Sequence, residues 1–268
     1  MKRFFTILVI ALAALSVDAR KLTILHLNDT HSHIEPERTG DRQGLGGVIE
    51  QAAFIDSVRL ADGRKNVLLL HAGDFSQGTS YFSELKGNME VEVLNAMAYD
   101  VVCLGNHEFD NGPEELARRL SMLDMPVVCS NYTFNGSPVQ KYVKPYTVLK
   151  RAGLKIGFVG MLTNLSSVVD GDIAATFQRH DPAESVSKYA TYLKDELDCN
   201  LVICISHCGY STDVKAAASM KDVDIIVGGH SHTYLKKPAV VEDSEGDEVI
   251  IVQDGDWGIQ VGCLKLDL

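Results

Sequence analysis

The sequence has little positive charge. It contains 25 lysine and arginine residues against 36 aspartate and glutamate residues, which gives a formal net charge of −11 at pH 7. An acidic surface repels a nucleic acid backbone and anionic lipid headgroups alike. The composition therefore excludes a nucleic acid polymer and an acidic membrane surface as expected partners.

Paired cysteine motifs are also missing. The six cysteines form no C-x-x-C pair and show no zinc-knuckle spacing. Cys103 and Cys204 lie inside apolar runs, where a thiol packs as a small apolar side chain. We expect most of the six to be buried thiols, and the sequence leaves open whether one disulfide forms.

No apolar stretch is long enough to serve as a membrane anchor. The stretch Phe4–Leu15 follows Lys2 and Arg3 and precedes Val17-Asp18-Ala19, which is typical of a secretory signal that is cleaved after Ala19. No cysteine closely follows this stretch, so a lipid anchor is not expected either. We predict a signal peptide over residues 1–19 and an exported protein, periplasmic or secreted, without a membrane anchor.

The rest of the chain has no Pro/Ser-rich linker, internal repeat or low-complexity tract. About 250 residues remain after the signal, and with a hydrophobic content of 46% over the whole sequence they are enough to bury one large core. We therefore predict a single domain over residues 20–268.

Five short, β-branched-rich apolar runs are typical of strands that are buried on both faces. Segments with a helical period separate them, and Asp181-Pro182-Ala183-Glu184 and Gly112-Pro113-Glu114-Glu115 give two of these helices good start signals. This alternation predicts parallel central strands. The five runs are Leu22–Leu27, Val67–Leu70, Val101–Leu104, Leu201–Ile205 and Ile225–Val227. Further helices are expected near Val48–Leu60, Glu90–Ala98 and Val214–Met220.

Other strand-like segments follow one another without a helix between them, which predicts an antiparallel portion. An α/β fold with two packed mixed sheets inside outer helices fits this pattern better than one open parallel sheet. These segments are Tyr146–Lys150, Lys155–Leu162, Ala239–Val241, Val249–Val252 and Gly262–Leu266.

Each of the five apolar runs is followed closely by a side chain that can bind a metal. Because ligands gather beyond the carboxyl ends of parallel strands, we expect these side chains to converge. In an extended segment, residues two apart such as Asp29 and His31 point the same way, and His230 and His232 repeat this spacing. Asp74 can bridge two cations through its two oxygens. The candidate metal ligands are Asp29, His31, Asp74, Asn106, His207, His230 and His232.

The mixture of imidazole, carboxylate and amide donors without a thiolate suits Zn, Mn, Fe or Co. Two divalent metal ions about 3.5–4 Å apart can hold a hydroxide between them and orient a phosphate group for in-line displacement. They would also make the site locally positive in spite of the acidic surface. A small phosphorylated substrate is therefore compatible with the composition.

His107 and Asp110 are the candidate catalytic residues. His107 follows the candidate ligand Asn106, and Asp110 lies three residues further on. Asp110 can orient the imidazole, so that His107 either steadies the phosphoryl oxygens in the transition state or protonates the departing alkoxide. The alternative is that Asp110 caps the helix that opens near Gly112.

Four further aromatic residues are weaker candidates. His26 and His71 lie in or next to apolar runs and are expected to be packed. His33 either supports His31 or is an exposed loop residue. Trp257 either stacks on a base or packs near a turn.

Four motifs in this chain resemble the calcineurin-like metallophosphoesterase domain of the 5′-nucleotidase family. The resemblance runs from about Leu22 to Leu268, and the string GNHEFDNG at Gly105–Gly112 is highly specific. The other three motifs are Leu27–His33, Ala72–Thr79 and Gly228–Thr233.

The resemblance implies a four-layer α-β-β-α sandwich that hydrolyses nucleotide phosphomonoesters. It also implies which residues share an ion, although relatives carry either Gln or His at the position of His232. One ion would be held by Asp29, His31, Asp74 and His232, and the other by Asp74, Asn106, His207 and His230.

Family members usually continue into a C-terminal domain that binds the nucleoside, and the sequence shows no such segment. A cyclic-nucleotide phosphodiesterase and a nucleotide-sugar pyrophosphohydrolase are alternatives within the same superfamily. A further alternative is a metal-binding subunit that needs a separate chain carrying the missing substrate-binding domain.

Overall fold

The computed structural model describes residues 20–268, so the predicted signal peptide over residues 1–19 lies outside the described residues. The strands are β1 (Lys21–Leu27), β2 (Val67–His71), β3 (Val101–Cys103), β4 (Val127–Val128), β5 (Tyr132–Thr133), β6 (Val143–Lys144), β7 (Tyr146–Arg151), β8 (Leu154–Leu162), β9 (Gln178–Arg179), β10 (Leu201–His207), β11 (Ile225–Val227), β12 (Ala239–Glu242), β13 (Glu248–Val252) and β14 (Gly262–Asp267). The α-helices are α1 (Val48–Asp62), α2 (Ser80–Leu85), α3 (Asn88–Ala96), α4 (Gly112–Leu120), α5 (Gly171–Ala174), α6 (Pro182–Asp195) and α7 (Tyr210–Ala217).

Two six-stranded mixed sheets form the centre of the fold. The first has the order β14-β1-β2-β3-β4-β6 and is parallel except for β14, which runs antiparallel to β1. The second has the order β12-β13-β11-β10-β8-β7, with four parallel central strands and an antiparallel strand at each edge. The parallel strands and the antiparallel portion were both predicted, and both predictions are confirmed.

The side chains of each sheet divide between two apolar layers, because successive residues of a strand point to opposite faces. In β1, Leu22 and Ile24 pack between the two sheets. Leu25 and Leu27 face the other way, into a core that includes Ile55 of α1. Burying a leucine or isoleucine side chain contributes roughly 1.5–3 kcal/mol, so both faces stabilise the sheet.

The second sheet repeats this division. Ile203 and Ile205 of β10 pack between the sheets, whereas Val202 and Cys204 pack in a core that includes Val186 of α6. Helices therefore cover the outer face of each sheet. The four-layer α-β-β-α sandwich that the resemblance implied is confirmed.

The start signals of the helices hold in the structure, with one difference. The Asp181 carboxylate accepts a hydrogen bond from the backbone N–H of Glu184 at 2.9 Å and caps α6. The helix expected over Val214–Met220 begins earlier, at Tyr210, and ends at Ala217. The first turn of this helix is polar, so the apolar period does not reveal its start. The Tyr210 N–H there donates a hydrogen bond at 3.0 Å to the Oγ of Ser231, a residue distant in the sequence.

The cysteines follow the expectation of buried thiols. All six are free, and five of them are buried while Cys263 is exposed. Between residues 20 and 268, none of the helices combines the length and apolar character that crossing a membrane requires.

Candidate metal centre

The carboxyl ends of five strands bring the predicted ligands together. Strands β1, β2 and β3 are neighbours in the first sheet, and β10 and β11 are neighbours in the second. Three sets of side chains, which share some members, could each hold a metal ion. Within each set the ligand atoms lie within 4.8 Å of one another. The three sets are Asp29 with His31 and His232, His31 with Asp74 and His107, and Asp74 with His207 and His230.

Distances across the centre are those of groups that face a common point. His207 Nε2 lies 3.0 Å from Asp74 Oδ2 and 3.8 Å from Asp29 Oδ1. His232 Nε2 lies 3.3 Å from Asp29 Oδ1 and 3.2 Å from His31 Nε2. Asp74 Oδ2 is also 3.9 Å from His31 Nε2, which places this carboxylate between the two groups of histidines.

Asn106 belongs to the same centre. Its side chain is buried, and the next residue ties it to Asp74, because His107 N–H donates to Asp74 Oδ1 at 2.8 Å. The structure thus brings six of the seven candidate ligands into the three sets, and the seventh, Asn106, lies next in the chain to a residue that contacts Asp74.

The backbone that delivers these ligands differs from the prediction. β1 ends at Leu27, and Asp29 and His31 lie in a loop with positive φ angles of 50° and 47°. His230 and His232 have φ angles of 74° and 51°. Left-handed backbone at residues other than glycine is strained and collects at functional sites. The prediction that these residues lie in extended segments, where side chains two residues apart point the same way, is therefore wrong. Tight loops with left-handed backbone orient the side chains instead.

Four buried atoms of the candidate ligands have no hydrogen-bond partner among the described residues: Asp29 Oδ1, His31 Nδ1, Asn106 Oδ1 and His207 Nε2. Leaving such groups unpaired is costly, and cations bound between the ligands would satisfy those that face them. Asp29 and His207 each make a hydrogen bond through their other side-chain atom. Asp29 Oδ2 accepts from Asn28 Nδ2 at 2.7 Å, and His207 Nδ1 donates to the Ala72 carbonyl at 2.7 Å. His207 Nε2 faces Asp74 and can bind a divalent cation once it has lost its proton, so the residues fit divalent cations.

The pKa shifts of His207 and Asp74 also indicate a centre that attracts cations. Burial disfavours the charged imidazole of His207, but the carboxylates of Asp74 and Asp29 outweigh burial and raise the pKa of His207 to about 10. Burial also opposes ionisation of Asp74, yet the neighbouring histidines hold its pKa well below the usual range. The carboxylates therefore attract positive charge into the centre, and cations would displace the proton from His207.

His107 and Asp110 form a pair at the open side of the centre. His107 Nδ1 lies 2.8 Å from Asp110 Oδ2, and about 30% of each side chain is exposed, 31% for His107 and 29% for Asp110. The hydrogen bond that His107 donates to the Asp110 carboxylate outweighs burial and raises the pKa of His107 to about 9. The alternative in which Asp110 caps the next helix is wrong, because Asn111 is the N-cap of α4.

Glu108 is a structural residue that the sequence reasoning missed. Its buried carboxylate accepts backbone N–H groups from Asp74 at 2.8 Å, Ser76 at 3.0 Å and Gly105 at 2.6 Å. Buried Arg119 donates to Ser76 Oγ and to the Glu108 carbonyl. Glu108 therefore joins the loop that carries Asp74 to the loop that carries Asn106.

We expect Glu108→Ala to lower the free energy of unfolding by about 3–5 kcal/mol, because it leaves three buried backbone N–H groups without their acceptor, at about 1–3 kcal/mol for each. Urea unfolding of the metal-free protein measures this. Glu114→Ala is the matched control on exposed helix surface. Equal stabilities for the two variants would contradict the role of Glu108.

The remaining histidines and Trp257 divide between packing and the loop region. His26 and His71 are buried, as predicted. His33 is neither a support for His31 nor an exposed loop residue. It contacts Glu37 at 2.5 Å and stacks on Trp257, with ring centroids 4.4 Å apart at 9°. Trp257 therefore packs against a protein side chain, as the simpler of its two interpretations predicted.

The fold and the donor set define the domain of a metal-dependent phosphoesterase. The chain belongs to the calcineurin-like phosphoesterase family, whose model matches residues 22–234. Snake venom 5′-nucleotidase from Gloydius brevicauda is 34% identical over 95% of this chain, and 5′-nucleotidase from Homo sapiens is 32% identical over 97%. The match covers 47% of the snake protein and 49% of the human protein.

A solved structure shares both the fold and a similar degree of identity. A 5′-nucleotidase precursor from Thermus thermophilus superimposes with a TM-score of 0.84 at 35% identity, covering 92% of this chain and 51% of that one. The chain thus spans about half the length of the 5′-nucleotidases that it matches.

Proposed function

We propose that the protein is an exported hydrolase of nucleotide phosphomonoesters that uses two divalent metal ions. The observation that carries this proposal is the convergence of six candidate ligands at one edge of two sheets, with four buried atoms of the candidate ligands left unpaired. Similarity to 5′-nucleotidases over almost all of the chain from residue 20 onward supports the nucleotide as the substrate class. Export stays a prediction from residues 1–19.

Each ion would have its own set of ligands, with Asp74 shared between them. When bound, two divalent cations activate water and offset charge on the attacking and leaving oxygens. The exposed pair of His107 and Asp110 lies on the open side, from which a substrate can approach. One ion would be held by Asp29, His31, Asp74 and His232, and the other by Asp74, Asn106, His207 and His230.

The chain's own residues contribute a donor and an orienting group. The raised pKa of His107, about 9, keeps the ring protonated at both nitrogens near neutral pH, so Nδ1 donates to Asp110 while Nε2 can donate to a phosphoryl oxygen or give a proton to the leaving alkoxide. Asp110 holds the imidazole in the orientation that this role needs. We propose His107 and Asp110 as the catalytic residues.

Hydrolysis of a nucleotide pyrophosphate is the second candidate function. An NAD nucleotidase from Haemophilus influenzae has a TM-score of 0.82 and 30% identity to this chain, which favours this reaction over that of a cyclic-nucleotide phosphodiesterase. A separate chain that supplies a substrate-binding domain was an expectation from the sequence. Comparison with known proteins gives it no support, and we do not propose it.

The substrate assignment predicts a ranking of rates. Protein reconstituted with Mn²⁺ or Zn²⁺ is assayed against AMP, cyclic AMP, a nucleotide sugar and an aryl phosphate, with release of phosphate or nucleoside monophosphate as the readout. We expect AMP to give the highest kcat/KM. A higher value for the nucleotide sugar would support the second candidate instead. Failure to hydrolyse any of the four, with metal bound, would indicate a metal-binding subunit.

A further inference from the structure

Among the residues that the structure describes, His232 is the one candidate ligand that is exposed, with 40% of its side chain open to solvent. Its Nε2 faces Asp29, at 3.3 Å from Oδ1. Its Nδ1 faces outward and lies 3.4 Å from Asp256 Oδ2. A side chain on the rim needs a second contact to hold its ring in one orientation, and Asp256 is placed to provide it.

Asp256 is itself held from the opposite side. Both of its carboxylate oxygens accept from Arg42 Nη1, at 2.9 and 3.0 Å, and only 12% of its side chain is exposed. The Arg42 guanidinium lies over the Trp257 ring, 4.7 Å from its centroid, and Trp257 also stacks on His33. Trp257 therefore supports the arginine of the ion pair next to His232.

Hydrogen bonds from the backbone of this segment to Asp29 and to the Asn28 side chain fix it to the loop that carries Asp29. Trp257 N–H donates to the Asp29 carbonyl at 2.7 Å. Asn28 Nδ2 donates to the Gly255 carbonyl at 2.6 Å, and Asn28 Oδ1 accepts from Asp254 N–H at 3.0 Å. The carboxylate of Asp256 thus has a defined position relative to Asp29.

We propose that Asp256 is a positioning residue for His232, and that Arg42 holds Asp256 in place. This inference rests on the proposed function, since it concerns the ion at Asp29, His31 and His232. A carboxylate at the outer nitrogen of a histidine fixes its orientation and tautomer and makes it a stronger ligand. The Ala72 carbonyl plays the corresponding role for His207.

Asp256→Asn is expected to weaken the binding of one Mn²⁺ ion about 10- to 100-fold and to leave the other ion unaffected. Isothermal titration of metal-free protein with Mn²⁺ measures both affinities. Asp41→Asn is the matched control, because it removes one negative charge beside Arg42 from an exposed position. An unchanged Mn²⁺ affinity in Asp256→Asn would overturn the inference.

A double-mutant cycle separates positioning from general damage to the fold. His232→Gln keeps a ligand at this position but removes the outer imidazole nitrogen, so adding Asp256→Asn to it should change Mn²⁺ affinity no further. The same loss in both backgrounds would contradict the proposal. Should Asp256→Asn fail to fold, Arg42→Ala on the surface is expected to weaken the same ion, and no change there would be equally contrary.

The wild-type titration distinguishes this inference from the proposed function. Wild-type protein that binds no Mn²⁺ would overturn both. Wild-type protein that binds two ions, together with an Asp256→Asn variant that binds them equally well, would overturn the role of Asp256 alone.

Discussion

Asp74→Asn is expected to lower kcat/KM for AMP by about a thousandfold or more, with less than two metal ions retained per chain. Asp74 Oδ2 lies between His207 and His31, at 3.0 and 3.9 Å from their Nε2 atoms, so both ions depend on its charge. Metal ions supply several kcal/mol of transition-state stabilisation, and about 1.4 kcal/mol corresponds to a factor of ten. Metal analysis after gel filtration and steady-state kinetics measure the two effects.

The control for this substitution is Asp195→Asn, which removes a carboxylate of the same size from the exposed end of α6. It should leave both metal content and turnover unchanged. The asparagine at position 74 preserves volume and can still accept from His107 N–H, so the fold should persist. Two tightly held ions and near-normal turnover in Asp74→Asn would show that Asp74 is not the shared ligand.

His107→Ala is expected to lower kcat for AMP by about 10²- to 10⁴-fold, while the metal content stays at two ions per chain. The imidazole is an exposed donor paired with Asp110 at 2.8 Å, and its loss removes a hydrogen-bond or proton donor from the open side of the centre. Turnover of the metal-loaded variant measures this effect. His180→Ala is the matched control, because His180 hydrogen-bonds Thr133 and is not among the candidate ligands.

The choice of leaving group distinguishes the two roles of His107. An activated aryl phosphate has a leaving group that needs no proton, so a His107→Ala defect that nearly disappears with this substrate would identify His107 as the proton donor. An equal defect with AMP and aryl phosphate would identify His107 as a donor to the phosphoryl oxygens. Undiminished turnover of both substrates would exclude His107 from catalysis.

The fold could be predicted from the sequence because its signals are local and strong. Runs such as Val67–Leu70 and Leu201–Ile205 are apolar on both faces, which marks central strands that are covered on both sides. The helix boundaries were less predictable where a contact from elsewhere decides them. The start of α7 at Tyr210 depends on Ser231, which is distant in the sequence.

The ligands could be predicted because they follow the carboxyl ends of strands that lie side by side. The backbone conformation that brings them together could not be predicted. Asp29 and His31 occupy left-handed backbone that neither residue type prefers, and the surrounding contacts enforce it. His31 N–H, for example, donates to the Asp74 carbonyl at 3.0 Å, a pairing of two loops that sequence spacing does not reveal.

The supporting residues escaped the sequence analysis for a related reason. Glu108 and Arg119 look like ordinary charged residues of a helical region, yet both are buried. Asp256 lies 24 residues beyond His232 in the chain, and only the folded loops bring the two together. Charged side chains are usually exposed. Composition and periodicity therefore do not indicate which charged residue is buried and connects loops inside the protein.

The central claim is that seven residues form one centre for two ions. Anomalous diffraction from crystals of the Mn²⁺-loaded protein tests it most directly. We expect two peaks about 3.5–4 Å apart, with Asp74 touching both, His31 and His232 on one side and His207 and His230 on the other. A single peak, or peaks away from Asp74, would contradict it.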